Sequence, residues 1–297
     1  MFAITVVAII VVATTFNFAE MREAVVSADP WWILTAFGFS LVTTLGAALT
    51  LISFSPGRLP FGKTILAQFA GSFVALATPA GIGPAALNLR FLNQKDIATS
   101  TGVAVVALSQ VSQVFVTILL LIIFAFATGA NDFIYLPSTA VLITILATVT
   151  VIGALLLVPR IRAWVWLKAG PAVGQLWPRF LAMLSHPLRL LAGLGGNALM
   201  SIGFVLAFYS SLQAFGRQLS FTDVAVIFFV GNTVGALLPT PGGLVGVEGA
   251  LIAGLSAAGL PVAIGTSVTL LFRLVTYWLR IPIGWVALKY LESKNDL

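Results

Sequence analysis

A single carboxylate, Glu248, follows the Gly/Pro-rich stretch LPTPGGLVGV in one of the most apolar parts of the chain. An ionisable side chain inside a membrane segment is costly, and it indicates a functional site with a partner group. Arg273, near the middle of the last apolar segment, is the candidate partner. A Glu248–Arg273 pair would either fix two segments together or open as a gate or headgroup site for a zwitterionic or cationic lipid head. The sequence leaves both interpretations open.

Two apolar segments, 65–93 and 224–260, are interrupted by the stretches TPAGIGP (78–84) and PTPGGLVG (239–246). Backbone that leaves the helix inside a membrane survives only where it is buried in protein or faces a wet cavity. We expect helices to restart at Pro84 and near Leu244, with N-terminal amides that favour an anionic group such as a lipid phosphate. The candidate substrate-binding residues at the breaks are Thr78, Pro79, Gly81, Gly83, Thr240, Pro241, Gly242 and Gly243.

Further polar residues follow the first break. Gln110 and Gln113 have the i, i+3 spacing that predicts one helical face, where they either join helices or line a path. Asn88 is a candidate site residue, and Arg90 is either a charge at the cytoplasmic surface or a phosphate contact. We expect Arg280 to lie toward the cytoplasmic end of the last segment and to extend its head to the interface, with a role in the site as the alternative.

The composition of the 297 residues, 60% hydrophobic and 8% charged, predicts an all-α polytopic membrane protein. Segments of roughly 17 to 25 apolar residues can cross a bilayer. About six full spans are expected, at 2–18, 31–54, 99–128, 134–158, 188–215 and 261–288. The absence of cysteine and the single histidine, His186, argue against thiolate chemistry and against a Cys- or His-rich metal site. No catalytic residue, metal or cofactor is therefore predicted.

The two interrupted segments resemble each other. Phe61 pairs with Phe221 and Gly71 with Gly231, which predicts a first repeat over about 61–128 and a second over about 221–290 in one transmembrane domain, 1–297. If each interrupted segment is a re-entrant hairpin, most Lys and Arg fall on one face, which the positive-inside rule makes cytoplasmic. The repeats are then inverted, as in many transporters. Chance similarity of composition is the alternative.

The net charge of +6 comes largely from basic residues in short gaps between apolar segments, which indicates membrane topology and contact with anionic lipid headgroups rather than nucleic acid. A Trp- and basic-rich stretch at about 160–187 is expected to lie in the cytoplasmic interface. No P-loop, paired-carboxylate run or Ser/His/Asp set is present, so a transporter is favoured over an enzyme. The expected location is the cell membrane, as a multi-pass protein of a prokaryotic inner membrane.

The stretches QFAGSFVALATPAGIGPAALNLRFL and LPTPGGLVGVEGALIAGLSAAGLP, the latter followed by LLFRLVTYWL, resemble the signatures of a known family. It is the flippase-like transmembrane region of lysylphosphatidylglycerol synthases, the membrane part of the multiple peptide resistance factor. The resemblance implies movement of aminoacylated phosphatidylglycerol between leaflets, with Glu248 and Arg273 as site residues. Two departures are the uncharged SQVSQ at 109–113, where relatives often carry a charged pair, and the absence of a synthase domain.

The expected function is thus a lipid flippase or lipid transporter for a phospholipid, such as aminoacylated phosphatidylglycerol, or for another anionic or polyprenyl lipid. The alternatives are the membrane-embedded part of a lipid-modifying transferase, with Glu248 as general base, and a scaffold for a partner enzyme. A partner enzyme and a second copy of the chain are the candidate protein partners.

Overall fold

The computed structural model describes residues 25–78, 82–128, 186–236 and 246–297, and the regular elements within these residues are all helical. In chain order the α-helices are α1 Pro30–Phe54, α2 Phe61–Val74, α3 Ile82–Asn93, α4 Thr99–Thr128, α5 Pro187–Gln213, α6 Phe221–Ala236, α7 Gly246–Ala257, α8 Val262–Arg273 and α9 Arg280–Ser293. A 3-10 turn, Ala75–Ala77, follows α2, and a π turn, Leu274–Trp278, joins α8 to α9.

Within the described residues, four helical stretches are long and apolar enough to cross a membrane: α1, α4, α5 and the continuous stretch Val262–Ser293. They correspond to four of the expected spans. The other two, 2–18 and 134–158, lie outside the described residues, as does nearly all of the predicted interfacial segment 160–187. The all-α class is confirmed, and the number of spans stays a prediction.

The start of helix α1 has an N-cap residue, Asp29, followed by a proline, Pro30, at the first helical position. Asp29 accepts a hydrogen bond from the Trp31 backbone N–H at 2.9 Å, and Pro30 occupies the first helical position, where its missing N–H costs nothing. Helix α1 packs along α5, which also begins with a proline, Pro187. Small residues let membrane helices approach closely, and here Gly46 of α1 lies against Gly196 of α5.

Each Gly/Pro break separates two short helices that pack against each other, α2 with α3 and α6 with α7. These helices have 14, 12, 16 and 12 residues. At 1.5 Å per residue each is about 18 to 24 Å long, which is shorter than a hydrocarbon core of about 30 Å. Gly71 faces Pro84 across the first pair, and its predicted counterpart Gly231 faces Leu251 across the second.

Each interrupted segment also packs on a long span from the other half of the chain. Helix α9, from the second half, packs on α2, and Gly284 there approaches the backbone of Phe69. Helix α6, which opens the second interrupted segment, packs on α4, the long span of the first half. Two apolar clusters fill these interfaces, one around Phe91 and Leu291 and one around Phe208 and Leu251.

The last span is not one regular α-helix. Its α-helical hydrogen bonding gives way to the π turn between Arg273 and Arg280, so the span contains α8 and α9 as distinct helices. Single π turns within α-helices occur frequently at functional sites. This turn contributes Thr276 and Tyr277 to the wall of the cavity described next.

Candidate substrate site

The two charges singled out in the sequence are in contact. Arg273 Nε lies 2.9 Å from Glu248 Oε1, and the side chains are 12% and 19% exposed. Glu248 lies in the first turn of α7, where the helix dipole stabilises a negative charge, and Arg273 is the last residue of α8. Arg273 also stacks over the ring of Tyr277, at 5.9 Å from its centroid. The predicted pairing is confirmed, whereas its role as gate or structural link stays a prediction.

A cavity of about 420 Å³ opens beside this ion pair. Ligand sites in proteins usually have volumes of about 300 to 1,000 Å³. Both halves of the chain contribute to its wall. Its lining residues include the cationic Arg273 and Arg280, the amides Gln68, Gln113 and Asn232, the hydroxyls Thr43, Thr44, Ser72, Thr117, Ser201, Thr276 and Tyr277, and the rings Phe204, Phe228, Phe229 and Phe272.

Three of the polar residues that line the cavity have buried atoms without a hydrogen-bond partner among the described residues. They are Gln113 Oε1, Tyr277 Oη and Arg280 Nε. Buried polar atoms in native proteins are normally paired, so each such atom calls for an explanation. An acceptor, a hydroxyl and a cationic donor thus line the same cavity, and a polar ligand or water could satisfy them.

Arg280 is not where the sequence led us to expect it. The residue is 6% exposed and lines the cavity, so the expectation that its head reaches the interface is wrong. Its Nη2 donates a hydrogen bond to Thr43 Oγ1, and its guanidinium lies 5.8 Å from the ring centroid of Phe204. The spacing of the two arginines could have indicated this position. Arg280 follows Arg273 by seven positions, about two helical turns, which puts both on the same side of a helix.

The two glutamines of α4 have different environments. Gln113 lines the cavity, and its Nε2 donates to Ser201 Oγ of α5 at 3.0 Å and to Thr117 Oγ1 at 3.2 Å. Gln110 is exposed, on the face that also carries Val111 and Val114. Gln113 therefore both joins helices and lines the cavity, while Gln110 does neither within the described residues.

A buried amide that the sequence analysis missed connects three spans. Asn197 of α5 is 3% exposed; it donates to Ser112 Oγ of α4 at 2.7 Å and accepts from Thr50 Oγ1 of α1 at 3.1 Å. An isolated amide in a long apolar segment was the signal that could have found it. Its hydrogen bonds are satisfied by protein groups, so Asn197 holds the scaffold of the cavity together.

The first interrupted segment is closed by neutral hydrogen bonds. The Thr78 hydroxyl donates to the Val74 carbonyl at 3.0 Å and accepts from the Gly83 N–H at 3.1 Å. Helix α3 thus begins at Ile82, slightly before the expected Pro84, and one of its early amides is satisfied internally. Asn88 accepts a hydrogen bond from Gln68, a cavity-lining residue, at 3.0 Å. Thr78, Gly83 and Asn88 therefore support the wall.

The remaining predicted site residues fall elsewhere. Arg90 is exposed near the end of α3 and is absent from the cavity lining. The predicted residues Pro79, Gly81, Thr240, Pro241, Gly242 and Gly243 lie outside the described residues.

A second charged cluster lies away from the cavity, beyond the last span. Asp296, which is 3% exposed, contacts Lys63 at the start of α2 with 2.8 Å between Oδ2 and Nζ, and it also contacts Lys95 after α3. Burial raises the pKa of Asp296, but the hydrogen bonds and charges of both lysines bring that pKa below its ordinary value. The cluster fixes the base of the first interrupted segment.

The fold and this site can now be compared with known proteins. A family model described as the lysylphosphatidylglycerol synthase TM region matches residues 1–284. The chain belongs to that family. Two curated proteins of Methanothermobacter thermautotrophicus, each named UPF0104 membrane protein, also match. One is 29% identical over 111 residues, which is 37% of this chain, and the other is 32% identical over 79 residues, which is 27% of it. The matched stretches cover 33% and 24% of those relatives' own length.

Membership in the lysylphosphatidylglycerol synthase TM region family confirms the resemblance found in the sequence motifs. With the long apolar helices, it makes the chain a membrane protein of this family. The family match spans both halves of the cavity, including Glu248, Arg273 and Arg280.

Proposed function

We propose that the protein is a lipid transporter that moves a phospholipid headgroup between leaflets through the cavity beside Arg273, with the acyl tails left in the bilayer. The observation that carries the proposal is the cavity itself, a polar and cationic chamber built within long apolar helices of a chain from a lipid-related family. Charges in such segments are expensive and are usually retained for ligand or ion pathways.

The position of the cavity supports this function. Arg273 and Arg280 are the twelfth and nineteenth residues of the 32-residue stretch Val262–Ser293. At 1.5 Å per residue, both therefore lie within about 7 Å of its middle along the helix axis. A headgroup held there would be close to the midplane, where transporters place their substrate sites.

The reciprocal packing supports an inverted repeat of two re-entrant hairpins. Helices α2–α3 and α6–α7 would be the hairpins, because each arm is shorter than the membrane and the equivalent glycines Gly71 and Gly231 lie where the arms cross. Helices α1 and α5, which precede the hairpins, pack together, and each hairpin packs on the long span of the other half. The proposal places the protein in the cell membrane as a multi-pass transporter.

The candidate substrates are a phospholipid, including aminoacylated phosphatidylglycerol, and other anionic or polyprenyl lipids. Since the sequence has no nucleotide-binding motif, movement would run downhill or be coupled to an ion. Anionic headgroups at the cytoplasmic interface and a partner enzyme or second copy of the chain remain the proposed partners.

The proposal is tested by leaflet exchange of acyl-labelled lipids in proteoliposomes, scored with a membrane-impermeant quencher. Wild type should exchange at least one headgroup class faster than protein-free vesicles. Glu248→Gln and Arg273→Gln should reduce exchange, while monodispersity confirms folding. Exchange by wild type no faster than in empty vesicles, for every phospholipid class tried, would reject transport.

The transferase alternative is favoured by one observation: Glu248 Oε2 is buried without a hydrogen-bond partner among the described residues, as a general base would require. That alternative predicts a covalently altered lipid in cells that overproduce the protein, lost in Glu248→Gln. The ion pair argues against it, because Glu248 Oε1 already contacts Arg273 Nε at 2.9 Å, and Glu248 itself is absent from the lining of the cavity.

A further inference from the structure

We infer that Arg280 is the binding residue for a phosphate group in this cavity, and that the cavity selects lipids of net negative headgroup charge over cationic, lysylated ones. This inference rests on the proposed function and specifies its substrate class. It assigns a role to a residue that lies one helix beyond the Glu248–Arg273 pair.

The described wall of the cavity carries net positive charge. Arg273 is compensated by Glu248 at 2.9 Å. Arg280 has no carboxylate within ion-pair distance in the part of the chain that the structure describes. Arginine stays protonated at neutral pH, so the described wall keeps about one uncompensated positive charge. A cationic headgroup would add a like charge in a medium that screens it poorly.

Arg280 has hydrogen-bond donors that the described residues leave open. A guanidinium carries five N–H donors, and burying them without acceptors is costly. Within the described residues, Arg280 makes one hydrogen bond, from Nη2 to Thr43 Oγ1, and its Nε has no partner. Because the side chain is 6% exposed and lines the cavity, the open donors belong to the protein interior rather than to bulk water.

A phosphate group has the shape and the acceptors that would satisfy these donors. A planar guanidinium binds phosphate oxygens through two parallel hydrogen bonds, and Arg280 is held in place by Thr43 and the ring of Phe204. Tyr277, whose hydroxyl has no partner among the described residues, lines the same cavity and can donate to a phosphate oxygen. The chemistry is that of a phosphate, whether from a lipid headgroup or from a soluble phosphate ester.

The test compares wild type, Arg280→Gln and Arg280→Lys, with the exposed Arg217→Gln as the matched control. Phosphatidylcholine vesicles are doped with phosphatidylglycerol or with lysylphosphatidylglycerol, and both lipid binding and leaflet exchange are measured. Soluble glycerol phosphate serves as a competitor that separates the two phosphate sources. Wild type should prefer phosphatidylglycerol to lysylphosphatidylglycerol by about tenfold, and this preference needs no variant that could fail to fold.

Arg280→Gln should lose about tenfold or more of the preference for phosphatidylglycerol over phosphatidylcholine, Arg280→Lys should keep part of it, and Arg217→Gln should keep it all. Equal or better binding of lysylphosphatidylglycerol by wild type overturns the inference and leaves transport standing. Phosphatidylglycerol binding without exchange supports the phosphate site and rejects transport. Competition by glycerol phosphate without lipid preference shows a site for soluble phosphate and overturns the lipid selectivity. Absence of all binding and exchange overturns both proposals.

Discussion

In the proposed arrangement of two hairpins, the first, α2–α3, is closed by hydrogen bonds between neutral groups, whereas the second, α6–α7, is linked to the span that follows it by the Glu248–Arg273 ion pair. The charged contacts of the first hairpin lie at its base, where Lys63 and Lys95 meet Asp296 beyond the last span. The first hairpin therefore has its ion pairs at its base, whereas the second has an ion pair beside the cavity. The difference suggests that the first half forms a fixed wall of the cavity. Glu248 and Arg273 of the second half would be the charges that respond to a bound headgroup.

Breaking the Glu248–Arg273 ion pair should have the largest effect on the stability of the protein. Arg273→Gln leaves Glu248 partly buried without this partner, and breaking a buried pair costs about 3 to 5 kcal/mol of unfolding free energy. The double variant Glu248→Gln, Arg273→Gln should recover much of the loss, because no unpaired charge remains. Thermal unfolding in detergent measures both.

The pair Lys289–Glu292 gives the control: its lysine is exposed and its two charged atoms are 3.8 Å apart, so Lys289→Gln removes a surface contact worth about 0 to 1 kcal/mol. Equal effects of Arg273→Gln and Lys289→Gln would show that the pair beside the cavity is no different from a surface contact.

A smaller effect should follow from adding a methyl group where the second hairpin closes. A Cβ at Gly235 of α6 would press into the backbone of Val247 of α7, and overpacking costs about 1 to 3 kcal/mol. A Cβ at Gly71 of the first hairpin would lie 3.5 Å from Pro84, an ordinary contact. Gly235→Ala should lower the unfolding temperature and Gly71→Ala should not. Similar behaviour of both variants would remove this difference between the hairpins.

The neutral closure of the first hairpin depends on one hydroxyl. Thr78→Ala deletes the acceptor of the Gly83 N–H and should cost about 1 kcal/mol, as the loss of a helix cap does. Thr78→Ser keeps the hydroxyl and is the matched control. The unfolding temperatures of the two variants are compared with that of wild type. If Thr78→Ser lowers the unfolding temperature as much as Thr78→Ala does, the stabilising group is the methyl group and not the hydroxyl.

The smallest expected effect is the pH dependence of the stability that Asp296 contributes at the base of the first hairpin. Because the pKa of Asp296 is below its ordinary value of 3.8 in the folded protein, its ionised form adds stability above that pH. This contribution is lost as the pH falls below 3.8 through the lowered folded pKa. Asp296→Asn should therefore destabilise the protein at neutral pH, and the difference from wild type should shrink in acid. An unchanged difference at low pH would show that Asp296 acts through packing alone.

The sequence predicted the parts of this site that depend on isolated charges in apolar surroundings. The pairing of Glu248 with Arg273 could be predicted because an unpaired charge inside a membrane segment is energetically costly. The Gly/Pro breaks predicted where two short helices meet. Arg280 was misplaced because its distance along the chain suggested an interface position, whereas tertiary packing buries it. The π turn carries no recognisable sequence signal, and Asp296 resembles a solvated polar residue until Lys63 and Lys95 enclose it.

The central claim is that the cavity is the path of the lipid headgroup, and filling it tests this claim most directly. Ala47 lines the cavity, whereas Ala86 of α3 is exposed and absent from its lining. In proteoliposomes, folded Ala47→Phe should lose leaflet exchange of acyl-labelled phosphatidylglycerol, and Ala86→Phe should retain the wild-type rate. If Ala47→Phe, verified as folded, exchanges lipid as fast as wild type, the headgroup does not pass through this cavity.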